Sequence, residues 1–367
     1  MTATDTAIDP DLAHAAVEHC YEQEWSDGLP VVPASRSLVD RFLATTGLAP
    51  ETEIGRLPQL DRVVTVELAA INAVMAGCRP EYFPVVLAAW QALMAERATG
   101  GGGWQSTSGP APLIVVNGPV RAQLGVNSTG GVFGPGFRAN ATIARAIGLI
   151  VRNVFGIHPH GLEQATQGLP GRWTICIGEN EEESPWEPLA TEAGIAPGVS
   201  AVSATLLRTC EYVDNRHTGS AEQLLGDFAD TLARSGAWIF QHASAGIVFC
   251  PEHAQQLTAA GYDRDGIRAW LAEHSVRTVA ELARAGKDGI DGRLRLPGAS
   301  SAGGSRISTA GARRDGEEAD RVLSGPEREN LLIAVAGARN AGISMVVRQF
   351  SGWSGTAVPV ATAGETR

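Results

Sequence analysis

The sequence predicts an α/β fold, with a mixed or mostly parallel sheet flanked by helices and a Gly/Ser-rich linker or lid ahead of a C-terminal strand segment. Three observations carry that reading. APLIVVNG (111–118) is a short continuous apolar run, the pattern of a strand buried on both faces. Residues 138–154 follow with Ile143, Ile147, Ile150 and Val154 on one helical face, and RWTICIG (172–178) then alternates as a strand, which makes a strand–helix–strand unit. AGIVFC (245–250) runs directly into PEHAQQLTAAG, a helix with proline at its first position and a glycine stop.

The remaining elements fill in around these. Residues 10–24 read as a helix ending near the extended, proline-bounded EWSDGLPVVP. Two helical patterns, about 65–77 and 80–97, are separated by Gly77 and Pro80, and the glycines at 100–103 form a flexible break. GYDRDGIRAWLAEHS adds a helix, and NLLIAVAGARNAG is a last strand entering a glycine loop. Residues 296–320, rich in Gly, Ser and Ala, read as linker or lid. The expected organisation is an N-terminal helical segment (1–99) packed on an α/β core (100–295), the linker (296–320), and a C-terminal strand and loop segment (321–367) belonging to the same core. No internal repeat is evident.

Composition narrows the function. The chain has 367 residues, 44% hydrophobic and 19% charged, with a net charge of −11. That is a folded chain with no basic surface for nucleic acid. No run is long and apolar enough for a membrane span, and the N-terminus carries acids where a signal peptide needs bases. The expected compartment is the cytoplasm. Five cysteines (20, 78, 176, 210, 250) lie far apart with no CxxC, so neither a disulfide framework nor a zinc ribbon is expected. Lys287 is the only lysine among 29 basic residues and is followed by aspartate, which excludes a P-loop and disfavours Schiff-base chemistry. GxSxG, HExxH and a full GxGxxG are absent. No cofactor is predicted, and only the acidic run described next offers oxygens suited to a divalent cation.

Ligands of open α/β sheets collect beyond the carboxyl ends of the strands. Strand 111–117 ends in Asn117 and feeds a loop of about 20 residues, a length that is uncommon without a function. That loop carries Asn127, Ser128, Thr129 and a Gly-Pro-Gly turn, and leads into a helix whose first turn holds Arg138 and Asn140. Free N–H groups, the helix dipole and these side chains make an anion seat. Arg138, Arg145 and Arg152 share one face, either touching ligand or pairing with the acidic run. Strand 172–177 ends in GENEEES, where Glu179 or Glu182 is placed for proton transfer and Asn180 for binding. The last strand ends at Arg339 and Asn340. Cys250 stands at a helix N-terminus with His253 one turn on and His242 before the strand, a thiol–imidazole candidate. Cys78 beside Arg79 is a second thiol candidate, HPH (158–160) a weak metal seed, and Asp27 a turn cap.

Several segments together, EWSDGLPVVP, AINAVMAGCRPEYFPVVLAA, VNGPVRAQLGVNSTGGVFGPGFRANATIARAIGL, GENEEESPWEPL and CPEHAQQLTAAGYDRDGIRAWLAEH, resemble a bacterial family of largely unassigned activity that stands beside UGSC-like (seleno)protein domains. The resemblance covers most of 20–280. It implies an enzyme-like small-molecule site with a thiol or selenol connection, and a cysteine in the glycine-rich loop, where this chain has Val132 and Phe133. The expected function is lyase, hydratase or cyclase-type acid–base chemistry on a small carboxylate- or phosphate-bearing metabolite of specialised metabolism. The alternatives are a thiol-dependent redox enzyme or subunit using Cys250 or Cys78, and a non-catalytic interaction subunit. A homo-oligomer or a partner subunit fits any of the three.

Overall fold

A computed structural model describes residues 9–100, 102–234, 245–278, 281, 284, 321–323, 331–350 and 353–363. The expected linker 296–320, Lys287 and His242 lie outside the described residues. The N-terminal part runs α1 (Pro10–Glu22), α2 (Arg36–Leu43), a two-stranded hairpin β1 (Glu53–Leu57) and β2 (Arg62–Thr65), then α3 (Val66–Met75), α4 (Phe83–Ala95) and the short α5 (Arg97–Gly100). The core follows as β3 (Ala111–Asn117), α6 (Val120–Leu124), α7 (Arg138–Asn153), β4 (Cys176–Gly178), α8 (Leu189–Glu192), β5 (Ala201–Asp214), α9 (Ala221–Ala233), β6 (Ala245–Phe249), α10 (Pro251–Ala259) and α11 (Arg264–His274). A second two-stranded pair, β7 (Val276–Thr278) with β8 (Arg321–Leu323), precedes β9 (Leu332–Val335), β10 (Ile343–Gln349) and β11 (Ala357–Pro359).

The α/β class holds, and the sheet is mixed. Its strands run β4-β3-β5-β10-β6-β9, with β11 extending alongside the start of β5, and the sheet curls as a half-barrel. Only β3–β4 and β6–β9 are parallel; β3–β5, β5–β10 and β10–β6 are antiparallel. Glycines 100–103, expected as a flexible break, partly belong to α5 and to a 3-10 turn at Gly103–Gln105 that buries Trp104.

The strand order is a palindrome, and the register makes it more than a coincidence of order. Val115 faces Ser203 on β5 and Ile177 on β4, whereas Val248 faces Met345 on β10 and Ala334 on β9. Counting four residues on from Ser203 and Met345 superposes Leu207 on Gln349, and those two residues are themselves partners across β5–β10. The same superposition puts the Glu179 N–H bond to Val116 O (3.1 Å) on the Ala336 N–H bond to Phe249 O (2.9 Å). The core is therefore a duplicated β-α-α-β-β unit about a pseudo-twofold axis at Leu207 and Gln349. A short repeat accompanies it, IVVNGPVRAQ (114–123) against IVFCPEHAQ (247–255), offset by the one extra residue Gly118. The expectation of no internal repeat is corrected on this point.

Packing follows the duplication. One outer face carries Ile114, Val116, Val202, Ala204 and Leu206, covered by α3, α4 and α7. The other carries Ile247, Phe249, Ile333, Val335 and Val346, covered by α9, α10 and α11. The concave face is filled by Leu113, Val115, Ile177, Leu207, Val248, Ala334, Met345, Val347 and Trp353. A bulge at Arg208, where Arg348 faces Thr209 but Gln349 faces Leu207, switches which residues of β5 point inward. On the covered side, Gly148 lets α7 approach Trp173, since a Cβ there would lie 2.7 Å from the indole. Among the described residues, no helix is long and apolar enough to cross a membrane.

Candidate functional site

The strands predicted to deliver the site lie in one sheet, but β3 and β4 run opposite to β6 and β9. The curl of the sheet nevertheless brings the ends of β4 and β9 together. Asn180 N–H donates to Val335 O (2.7 Å), its side-chain amide to Gly337 O (3.1 Å), and Gly337 N–H to Ser128 O (2.9 Å). Asn180 and the Ser128 carbonyl thus fasten one half to the other.

In the first half, the end of β3 is a carboxylate-binding turn already filled by the chain itself. Gly118 turns with φ +82°, its N–H donating to Glu181 Oε1 (2.7 Å), and Asn117 Nδ2 donates to the same oxygen (2.9 Å). Arg121 reaches Glu181 Oε2 (2.9 Å), both oxygens of Glu182 (3.0 Å each) and the carbonyl of Glu179 (2.6 Å). Glu179 is fully buried and accepts from Asn117 Nδ2 (2.6 Å), Leu189 N–H (2.6 Å) and Arg264 of α11 (3.0 Å). Glu183 takes Arg339 (2.9 Å), which also meets Gln255. Each acid of the run is therefore held by a donor from elsewhere in the fold. Hydrogen bonding to Arg121 holds the Glu182 carboxyl below its ordinary range, whereas burial pushes Glu179 up against the pull of Arg264.

The glycine-rich loop is framed rather than slack. Asn140 Oδ1 accepts the N–H of Asn127 (2.8 Å), and its amide donates to Asn127 O (3.0 Å) and Cys176 O (2.8 Å). Asn127 in turn accepts from the backbone and hydroxyl of Thr129 (3.0 and 3.1 Å). The polar groups of Asn127 and Asn140 are thus engaged in shaping the loop, and Val132 and Phe133 pack onto the concave apolar face. Arg138 is exposed and bonds Gly77 O (3.0 Å) at the start of α7. Arg145 grips Asp27 through two bonds (2.9 and 2.7 Å), and Arg152 bonds Glu24 O (3.2 Å). The arginine face of α7 binds the N-terminal segment, and the alternative pairing with the acidic run is replaced by this contact. Asp27 both caps its turn through Leu29 N–H (3.3 Å) and anchors Arg145. Burial acts to raise Asp27, but the Arg145 bond brings it below the ordinary range.

The second half presents different chemistry at the equivalent strand end. The superposition that pairs Val115 with Val248 sets Cys250 where Asn117 stands and, allowing for the extra Gly118, His253 where Arg121 stands. Cys250 caps α10 before Pro251 and is buried, and His253 is 1% exposed. His253 Nε2 lies 2.9 Å from Asn215 O, which can only accept, so Nε2 carries the proton in the neutral ring. Nδ1 lies 2.8 Å from Ser344 Oγ, which accepts the N–H of Cys250 (2.9 Å). Burial alone would raise the Cys250 thiol, but hydrogen bonding and charge from His253 bring it below the ordinary thiol value. The other four thiols move the opposite way: burial pushes Cys78 and Cys210 up to about 12 and raises Cys20 and Cys176 as well. Cys78 also bonds Thr142 O (3.3 Å), and of the two thiol candidates only Cys250 lies below the ordinary thiol value.

Arg339 and Asn340 are exposed on the loop after β9, which passes from Phe249 over α10 to Gly342 beside His253. Sequence reasoning missed Arg121, Arg264, Asn215 and Ser344; the repeated Pro-x-x-Ala-Gln that places Arg121 and His253 alike was the available signal for the first. Among the described residues no group of three or more His, Cys, Asp or Glu is placed to hold a metal ion. No protein-family model, curated protein or solved structure matches this chain.

Proposed function

We propose that the chain is an enzyme whose chemistry is thiol-dependent, with Cys250 as nucleophile and His253 as its acid–base partner, acting on a small molecule. The carrying observation is that Cys250 alone among five thiols is lowered, beside an imidazole whose far nitrogen is fixed by Asn215 O. In such a site the sulfur bonds an electrophilic carbon of the substrate. The leaving group departs with its electron pair and takes a proton from the His253 imidazolium. Iodoacetamide modification of the native protein from pH 5 to 9, mapped by peptide mass, tests this. Cys250 is expected to react first, with a midpoint below that of an ordinary thiol, while Cys78 and Cys210 stay unmodified. Because the thiolate is present only above its pKa, His253→Asn moves the midpoint upward. A Cys250 that stays unmodified or titrates as an ordinary thiol overturns the reading.

One observation favours acid–base chemistry at the 127–142 loop as a second reading. The 16-residue α7 begins without a side-chain cap, with the exposed Arg138 as its first residue. Inorganic phosphate titrated into the protein should then move the amide NMR signals of Ala139 and Asn140, and unmoved signals dispose of an anion seat.

A further inference from the structure

We infer that Ser344 is the positioning residue of the Cys250–His253 pair: its hydroxyl holds Nδ1 of the imidazole toward the thiol and couples their proton states. The inference rests on the thiol reading above and adds to it the group that makes the pair work. Three observations carry it.

The first is the direction of the hydrogen bonds. Nε2–H is committed to Asn215 O (2.9 Å), so in the neutral ring Nδ1 is a bare acceptor, and Ser344 must donate to it across 2.8 Å. The same hydroxyl oxygen accepts the N–H of Cys250 at 2.9 Å. One oxygen is thereby bonded to the backbone of the nucleophile and to the ring of the base.

The second is rigidity. Ser344 is 2% exposed on β10, which is paired on both sides, by β5 through Val213 and by β6 from Met345 onward. On the other side of the ring, a Cβ at Gly342 would lie 2.7 Å from His253 Nε2, so only glycine leaves the imidazole its place. The strand that carries the hydroxyl and the ring that accepts from it are both held in place.

The third is the internal control that the duplication supplies. In the first half the positions equivalent to Cys250, His253 and Ser344 are Asn117, Arg121 and Val202. Val202 packs into the apolar cluster beneath α3, α4 and α7. That half has valine at the position of Ser344, and the hydroxyl that meets its helix start, Ser200 Oγ, stands two residues earlier on the chain, accepts the Val120 N–H (3.0 Å) and has no imidazole to hold. When the thiol ionises, Ser344 relays the proton: its O–H proton passes to Nδ1 as its oxygen takes up the thiol proton, so that Nδ1–H then donates to Ser344 Oγ, the new O–H faces the thiolate, and Ser344 ends neutral.

The test is the pH profile of Cys250 modification by iodoacetamide in the full chain. Ser344→Ala should raise the midpoint by about one unit, a tenfold slower reaction below it, and Ser344→Thr, which keeps the hydroxyl on a strand that accepts β-branched residues, should restore it. Nitrogen-15 NMR of His253 in the unaltered protein should find the neutral ring protonated on Nε2. A midpoint unmoved in Ser344→Ala while His253→Asn raises it makes Ser344 merely structural and overturns the inference. If Ser344→Ala does not fold, a His253 proton on Nδ1 in the unaltered protein, or a Ser344→Thr midpoint shifted up, overturns it instead. An ordinary thiol midpoint insensitive to His253→Asn removes the thiol reading itself, a separate outcome.

Discussion

Replacing Arg264 with methionine should lower the unfolding free energy by about 3–5 kcal/mol, read as a fall in the urea midpoint. Arg264 is 7% exposed and bonds Glu179 (3.0 Å), Glu192 (3.1 Å) and Glu187 O (2.6 Å) beneath the ring of Trp186. Glu192 keeps Arg268 as a partner after the change. Glu179, with no exposed surface, loses its guanidinium partner, and an unpaired buried carboxylate is what makes such a deletion expensive. The companion Glu179→Gln removes the stranded charge, so the double variant should regain much of the loss. An unchanged midpoint for Arg264→Met would refute the reading of Glu179 as a buried charge held by Arg264.

Trp90→Ala should cost a similar amount, about 3–5 kcal/mol, through a different mechanism. Trp90 is fully buried on α4, stacked on Trp104 with centroids 6.4 Å apart and planes 7° apart, and tilted against Phe155 at 5.5 Å. Its indole occupies the space where a Cβ on Gly55 would stand, 2.6 Å from Nε1. Truncation leaves a hole that the hairpin β1–β2 and α4 cannot both close. The measurement is again the denaturation midpoint, with Cys250 alkylation in the folded protein as control. Trp90 lies in the first apolar cluster and Cys250 in the other half, so the reactivity profile should not move.

What could be read in the sequence was what depends on neighbours in the chain. β3 and α7 came out because seven successive buried residues and a 3.6-residue apolar stripe are local signals, and Pro251 marked the start of α10. β5 escaped because its buried first half carries Ser203 and Thr205, which break the apolar run, and the bulge at Arg208 then reverses its alternation. β10 carries Arg348 and Gln349, both buried, which gives it no apolar signature to end on. The acidic run was visible but its meaning was not. The arginines that hold it stand 58 residues (Arg121) and 85 residues (Arg264) from Glu179, and only the fold brings them there. Likewise the seven-residue arginine spacing identified one face of α7 without saying that the face looks at Asp27. The thiol pair was half legible: Cys250 and His253 share a turn, but Ser344 arrives from 91 residues beyond His253.

The pairing of Leu207 with Gln349 at the centre of the sheet has a consequence for each half taken alone. A strand that meets its own counterpart in antiparallel register about a single point is complementary to itself. A free half would therefore expose an edge able to recruit an identical half, the usual route by which open edges lead to unwanted association. In this chain the two edges are tethered to one another in sequence, so each meets its complement at an effective concentration no separate molecule can match.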